Sequence, residues 1–171
     1  MNIQLIFGIS VALGVVAWSV FGALYIWPAL RGRSRADALR PLVMLHAFRF
    51  AGLAFLVPGV VAPDLPPMFA HAAGYGDLAA CTLALLTLAT LRGRPGIAFA
   101  WIFNLWGTFD LFDAFYRANA SGLAAGQFGA AFFIPTFVVP LLLVTHGLMF
   151  RILMRPDRQP QFDTVPAGTR A

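Results

Sequence analysis

The 171-residue chain contains no lysine and no glutamate, and its single cysteine is Cys81. All 12 cationic residues are arginine and all 7 acidic residues are aspartate, a bias that reads as the composition of a high-GC bacterial genome and carries no mechanism. One cysteine excludes a disulfide framework and a thiolate metal cluster, and inside an apolar run it reads as inert packing. Charge of either sign is scarce: 11% of residues are charged and 60% hydrophobic, with a mean hydropathy of +0.78. These values lie outside the range of soluble globular domains. No Ser or Cys has a recognisable base nearby in the pattern, and no helix carries two histidines at metal-ligand spacing. Both absences argue against hydrolytic and nucleophilic chemistry.

What the chain does have is long apolar runs. A hydrocarbon core of about 30 Å needs about 20 apolar residues in helical form. Five runs qualify: Ile3 to Leu30, Pro41 to Val61, Gly76 to Leu91, Ile97 to Arg117 and Ala130 to Leu153, the third being the shortest. The runs are continuous, whereas barrel strands would alternate, so the expected fold is an all-α integral membrane protein, a bundle of five transmembrane helices. The first run has no cationic leader and ends in Tyr25-Ile26-Trp27-Pro28, so it reads as a retained helix rather than a signal peptide.

Arginine placement sets the expected orientation. Arg31, Arg33, Arg35 and Arg40 follow the first run, Arg92 and Arg94 the third, and Arg151, Arg155 and Arg158 the fifth, whereas the alternate loops hold Arg117 alone. By the positive-inside rule the N-terminus is outside and the C-terminus cytoplasmic, in a bacterial inner membrane. The net charge of +5 is thereby topology and some attraction to anionic lipid, not a nucleic-acid footprint. Residues 1–155 form one transmembrane domain and 156–171 a polar tail whose Pro, Gly, Gln and Thr content suggests disorder. The external loops, Ala62 to Tyr75 and Asn119 to Gly129, are longer than the cytoplasmic ones, and Gly74-Tyr75-Gly76-Asp77 reads as a turn into a helix whose N-terminus Asp77 favours.

Ionisable side chains at mid-membrane cost about 2.5–3.5 kcal/mol each on insertion scales, so those inside the runs carry the functional question. His46 and Arg49 share a face of the second run. His146, in the fifth, sits at nearly the depth of His46, each about 8 Å from the cytoplasmic end. Gly52 and Gly147 would let a helix or flat cofactor approach. In the fourth run, Trp106, Asp110, Asp113 and Arg117 fall on one stripe, with Asn104 about 120° around the helix. Asp113 and Arg117 can pair with each other, leaving Asp110 to seek Arg49, at depths of about 20 and 12 Å that a water could bridge.

Three readings follow. A cavity holding His46, Arg49, Asn104, Trp106, Asp110 and Asp113 would bind or translocate a small ligand or proton, with Asp110 protonatable and Arg49 its counter-charge. His46 and His146 as axial ligands would hold a haem b, giving an electron carrier. The same residues as a self-satisfied network would make a structural accessory subunit. In each case a homo-oligomer or a larger membrane complex fits a chain this small, and the sequence leans against an enzymatic role without deciding it.

Overall fold

The computed structural model describes residues 2–93 and 95–156, which are helical throughout apart from short connections and one isolated bridge between Pro58 and Val61. Arg94, Arg158 and all but the first residue of the expected tail lie outside the described residues. The first rod runs from α1 (Ile3–Phe21) through a π turn, Gly22–Ile26, into α2 (Trp27–Leu30). After a short turn, α3 (Arg35–His46) passes directly into a 3-10 segment, Ala47–Leu56. Next come α4 (Pro67–Thr90) and α5 (Gly96–Ala120). A 3-10 segment (Ala125–Phe132) and a π turn (Ile134–Val138) lead into α6 (Val139–Leu153).

Four of these helical stretches, Ile3–Leu30, Arg35–Leu56, Pro67–Thr90 and Ile134–Leu153, are long and apolar enough to cross a membrane. Helix α5 has the length, but Asn104, Asp110, Asp113 and Arg117 dilute its apolar character and it is not among the four. The sequence boundaries shift for identifiable reasons. Pro41 lies inside α3, because Ser34 caps the helix earlier by accepting from the Asp37 N–H at 3.2 Å. Helix α4 begins at Pro67, where a missing N–H is harmless, nine residues before the expected start. The expected loop therefore shrinks to residues 57–66, and the expected turn Gly74 to Asp77 is mid-helix.

The long 3-10 segment has a geometric consequence. At 3.0 residues per turn, side chains three apart stand in register, whereas an α-helix would rotate them by about 60° at each step. Arg49, Gly52 and Phe55 are all buried, continuing the row begun by the buried His46. One strip of backbone thus points a histidine, a guanidinium, a gap and a phenyl ring into the bundle.

The interior has two apolar ends. At one end Leu39, Val43, Ala84, Phe103, Met149 and Ile152 pack together; at the other, Phe55, Leu65, Phe69, Ala73 and Phe128 do. The buried polar residues His46, Arg49, Asp77, Asn104, Asp110, Thr145 and His146 belong to neither cluster. Helix α1 lies at the periphery with no buried residue, and touches the α6 side through Gly14, where a Cβ would stand 2.6 Å from the Thr136 carbonyl oxygen. At the α1–α6 end, Arg151 lies 3.7 Å over the Trp27 ring and Arg155 4.8 Å from its centre, cation–π contacts that tie the rod's end to α6.

The second apolar end is closed by pairing between loops. The Ala130 N–H donates to the Val60 carbonyl at 2.8 Å, the Ala62 N–H to the Gln127 carbonyl at 3.0 Å, and the Gln127 amide to Asp64 Oδ2 at 2.9 Å. Between them Gly129 adopts φ +53° with the Val60 oxygen 2.5 Å from where a Cβ would be. Gly129→Ala is therefore expected to lower stability by about 1–3 kcal/mol. Gly147→Ala, with nothing within 4 Å of the added carbon, should be neutral. Equal unfolding midpoints for the two variants in detergent would contradict this closure.

Candidate functional site

A guanidinium stays charged at any accessible pH, so a buried arginine needs acceptors from several directions. Arg49 is 3% exposed and receives them from three elements. Its Nε donates to Asp77 Oδ1 on α4 at 2.6 Å, and its Nη2 to Asp110 Oδ2 on α5 at 2.5 Å. Its Nη1 donates to the Gly107 carbonyl at 3.2 Å and lies 3.5 Å from His146 Nε2 on α6. The expected approach of Arg49 and Asp110 is present as a direct contact. Asp77, expected to be a helix-start residue, is instead the eleventh residue of α4 and Arg49's second carboxylate.

Missing side chains make the room. A Cβ on Gly52 would collide with the Asp77 carboxylate, one on Gly76 would collide with that of Asp110, and one on Gly107 would lie 2.6 Å from His146 Cε1 and 2.9 Å from Arg49 Nη1. Gly147, singled out in the sequence, faces open space.

The buried arc of α5 explains the fate of its polar residues. At about 100° per residue, Phe103, Gly107, Leu111 and Ala114 cluster around the direction of Gly107, with Asn104 and Asp110 about 60° to either side. Both are buried, Asn104 at 0% and Asp110 at 8% exposed. Trp106 lies about 100° from that centre and is 42% exposed, so it does not stand beside the site as its spacing to Asp110 implied. Asp113 likewise turns away from the charge cluster and receives the Arg117 Nε at 2.5 Å, the local pair expected.

The two histidines meet, but not as haem ligands. Their ring centres are 4.2 Å apart, at the close end of direct ring contact, and Phe103 packs against both. A macrocycle has no gap to enter, and both rings have other work. His146 Nδ1 lies 2.7 Å from Asn104 Oδ1, which can only accept, so that nitrogen carries the proton and Nε2 faces Arg49 with a lone pair. Thr145 donates its hydroxyl to the Leu141 and Leu142 carbonyls at 2.9 and 3.0 Å, so it accepts from His46 Nε2 at 2.9 Å. His46 Nδ1 is left as an unpartnered acceptor. With the rings 4.2 Å apart and hydrogen-bonded to Thr145 and Asn104, His46 and His146 as placed here leave no room between them for the expected haem b.

The charge cluster floors a cavity of about 240 Å³. Asp77 and Asp110 line it together with Phe7, Phe55, Phe69, Phe115, Phe128 and small residues Ala73, Ala114 and Ala118. Exposed Gln4 and Asn119 also line it, placing its open side where α1 starts and α5 ends. Arg49 and the histidines are not in the lining: the carboxylates stand between them and the cavity. Such a mostly apolar cleft with a few convergent polar groups has the make-up of a small-molecule site.

These features define an all-helical protein with membrane-length apolar helices and a buried Asp–Arg–Asp centre. The chain belongs to the family described as Domain of unknown function (DUF8737), which it matches over residues 6–154. No curated protein and no solved structure matches it.

Removing Arg49 leaves two buried carboxylates without a counter-charge, a change that costs about 3–5 kcal/mol. Asp110→Asn keeps the shape and leaves Arg49 neutralised by Asp77, so it should cost about 1 kcal/mol. Detergent-solubilised Arg49→Ala should therefore unfold far more readily than Asp110→Asn, and equal losses would contradict a guanidinium shared by both carboxylates.

Proposed function

We propose that this is a five-pass membrane protein of the bacterial inner membrane that binds a small ligand in the aromatic cavity above Asp77, Arg49 and Asp110. The cavity with two carboxylates as its floor is the observation that carries the reading. Binding is favoured over conduction because the space beyond Asp77 and Asp110 is filled by Arg49 and the packed rings of His46, His146 and Phe103, none of which lines the cavity. Helix α5 crosses as the fourth span, its polar residues either buried in the centre or paired locally as Asp113 with Arg117. The N-terminus is external and the C-terminus cytoplasmic, supported by Arg31, Arg33, Arg151 and Arg155 gathered at one end of the bundle, where Arg155 Nη1 donates to the Arg31 carbonyl at 2.9 Å. The uncovered α1 face meets lipid or a further subunit.

Two measurements test this. A fluorescent reporter that matures only in the cytoplasm should light up when fused after Arg155, and activity of a periplasm-only reporter there would overturn the orientation. For the pocket, tert-butylbenzene matches the cavity's size and should bind saturably to the purified protein, raising its melting temperature. Ala114→Phe, which fills the cavity, should abolish that shift. A shift unchanged in the filled variant, or no saturable binding at all, would leave the polar centre a structural network without a ligand.

A further inference from the structure

We infer that the ligand is an organic monocation, an ammonium group on a compact apolar body, seated with its charge on Asp77 and Asp110. The inference rests on the pocket reading above and adds the chemical class. Its first support is a charge count. Asp77 and Asp110 share one guanidinium, so with both carboxylates ionised the centre carries one negative charge in excess. His46 and His146 each have one ring nitrogen donating, to Thr145 and Asn104, and are neutral, and Asp113 and Arg117 cancel each other. An excess charge in apolar surroundings is costly until something neutralises it.

The second support is the order of the groups. The carboxylates line the cavity and the guanidinium does not, so a molecule entering meets negative charge first. An anion would be repelled there. The third is the wall. Phe7, Phe55, Phe69, Phe115 and Phe128 surround the space, and ring quadrupoles attract a cation while phenyl surfaces take up its apolar body.

Size and coordination narrow the class. A cavity of about 150 Å³ holds benzene, so the 240 Å³ here suits about ten non-hydrogen atoms. A bare metal ion finds too few ligands: among the described residues no group of three or more His, Cys, Asp or Glu side chains is placed to hold one. Calcium and magnesium require about six or more oxygens, and one oxygen of each carboxylate is already engaged by Arg49.

The test uses two molecules of one shape and opposite electrostatics, phenyltrimethylammonium and its neutral isostere tert-butylbenzene, titrated into the full-length protein in detergent. The cation is expected to bind at least tenfold more tightly. Asp110→Asn should cut the cation's affinity at least tenfold while leaving that of tert-butylbenzene within twofold, and Asp77→Asn, which removes the same unit of charge, should do likewise. If the neutral isostere binds as well as the cation, or the preference survives both substitutions, the excess charge is held by a proton and the inference is overturned while the pocket stands. If neither molecule binds saturably and Ala114→Phe changes nothing, the pocket reading itself fails and the inference goes with it.

Discussion

A guanidinium that cannot shed its charge, placed where there is no water to hydrate it, is the constraint from which the rest of this bundle follows. Arg49 has five N–H donors in a fixed plane and needs acceptors along that plane. Asp77 from α4, Asp110 and the Gly107 carbonyl from α5, and His146 from α6 meet at its level, so one side chain ties the register of three helices. The same requirement explains the 3-10 segment. An α-helical continuation would swing Phe55 away from the face that carries Arg49, separating the cavity's aromatic wall from its charged floor.

How much of this was legible in the sequence depends on the range of the signal. Apolar runs are local, and four of the five expected runs correspond to helices long and apolar enough to cross a membrane, with ends displaced where Ser34 and Pro67 start helices earlier than hydropathy does. Asp113 with Arg117 was readable because both lie on one helix. Arg49 with Asp110 was readable because two isolated opposite charges in apolar runs have few alternatives. Asp77 was missed through a boundary error: with α4 starting nine residues late, its carboxylate seemed to belong at the surface.

Depth along a helix proved weaker than direction around it. Equal depth for His46 and His146 brought the rings together, yet depth says nothing of the gap between them, and the gap decides whether a macrocycle fits. Trp106 failed in the converse way. It lies about 40° from Asp110 on α5, close enough to share a stripe, but Asp110 is at the edge of the buried arc and Trp106 falls beyond it.

The glycines turn the centre into something that can be spelled. Arg49 is followed three residues on by Gly52, Asp77 is preceded directly by Gly76, and Asp110 is preceded three residues back by Gly107. Each charged side chain thus travels with a void, and each void is occupied by a charged or polar group from a neighbouring helix: Asp77 over Gly52, Asp110 over Gly76, Arg49 and His146 over Gly107. Written as Arg-x-x-Gly, Gly-Asp and Gly-x-x-Asp on three consecutive helices, this is a lock in which every key carries the keyhole for another. A chain that kept the three charges but replaced any of these glycines would have the ions without the space to join them.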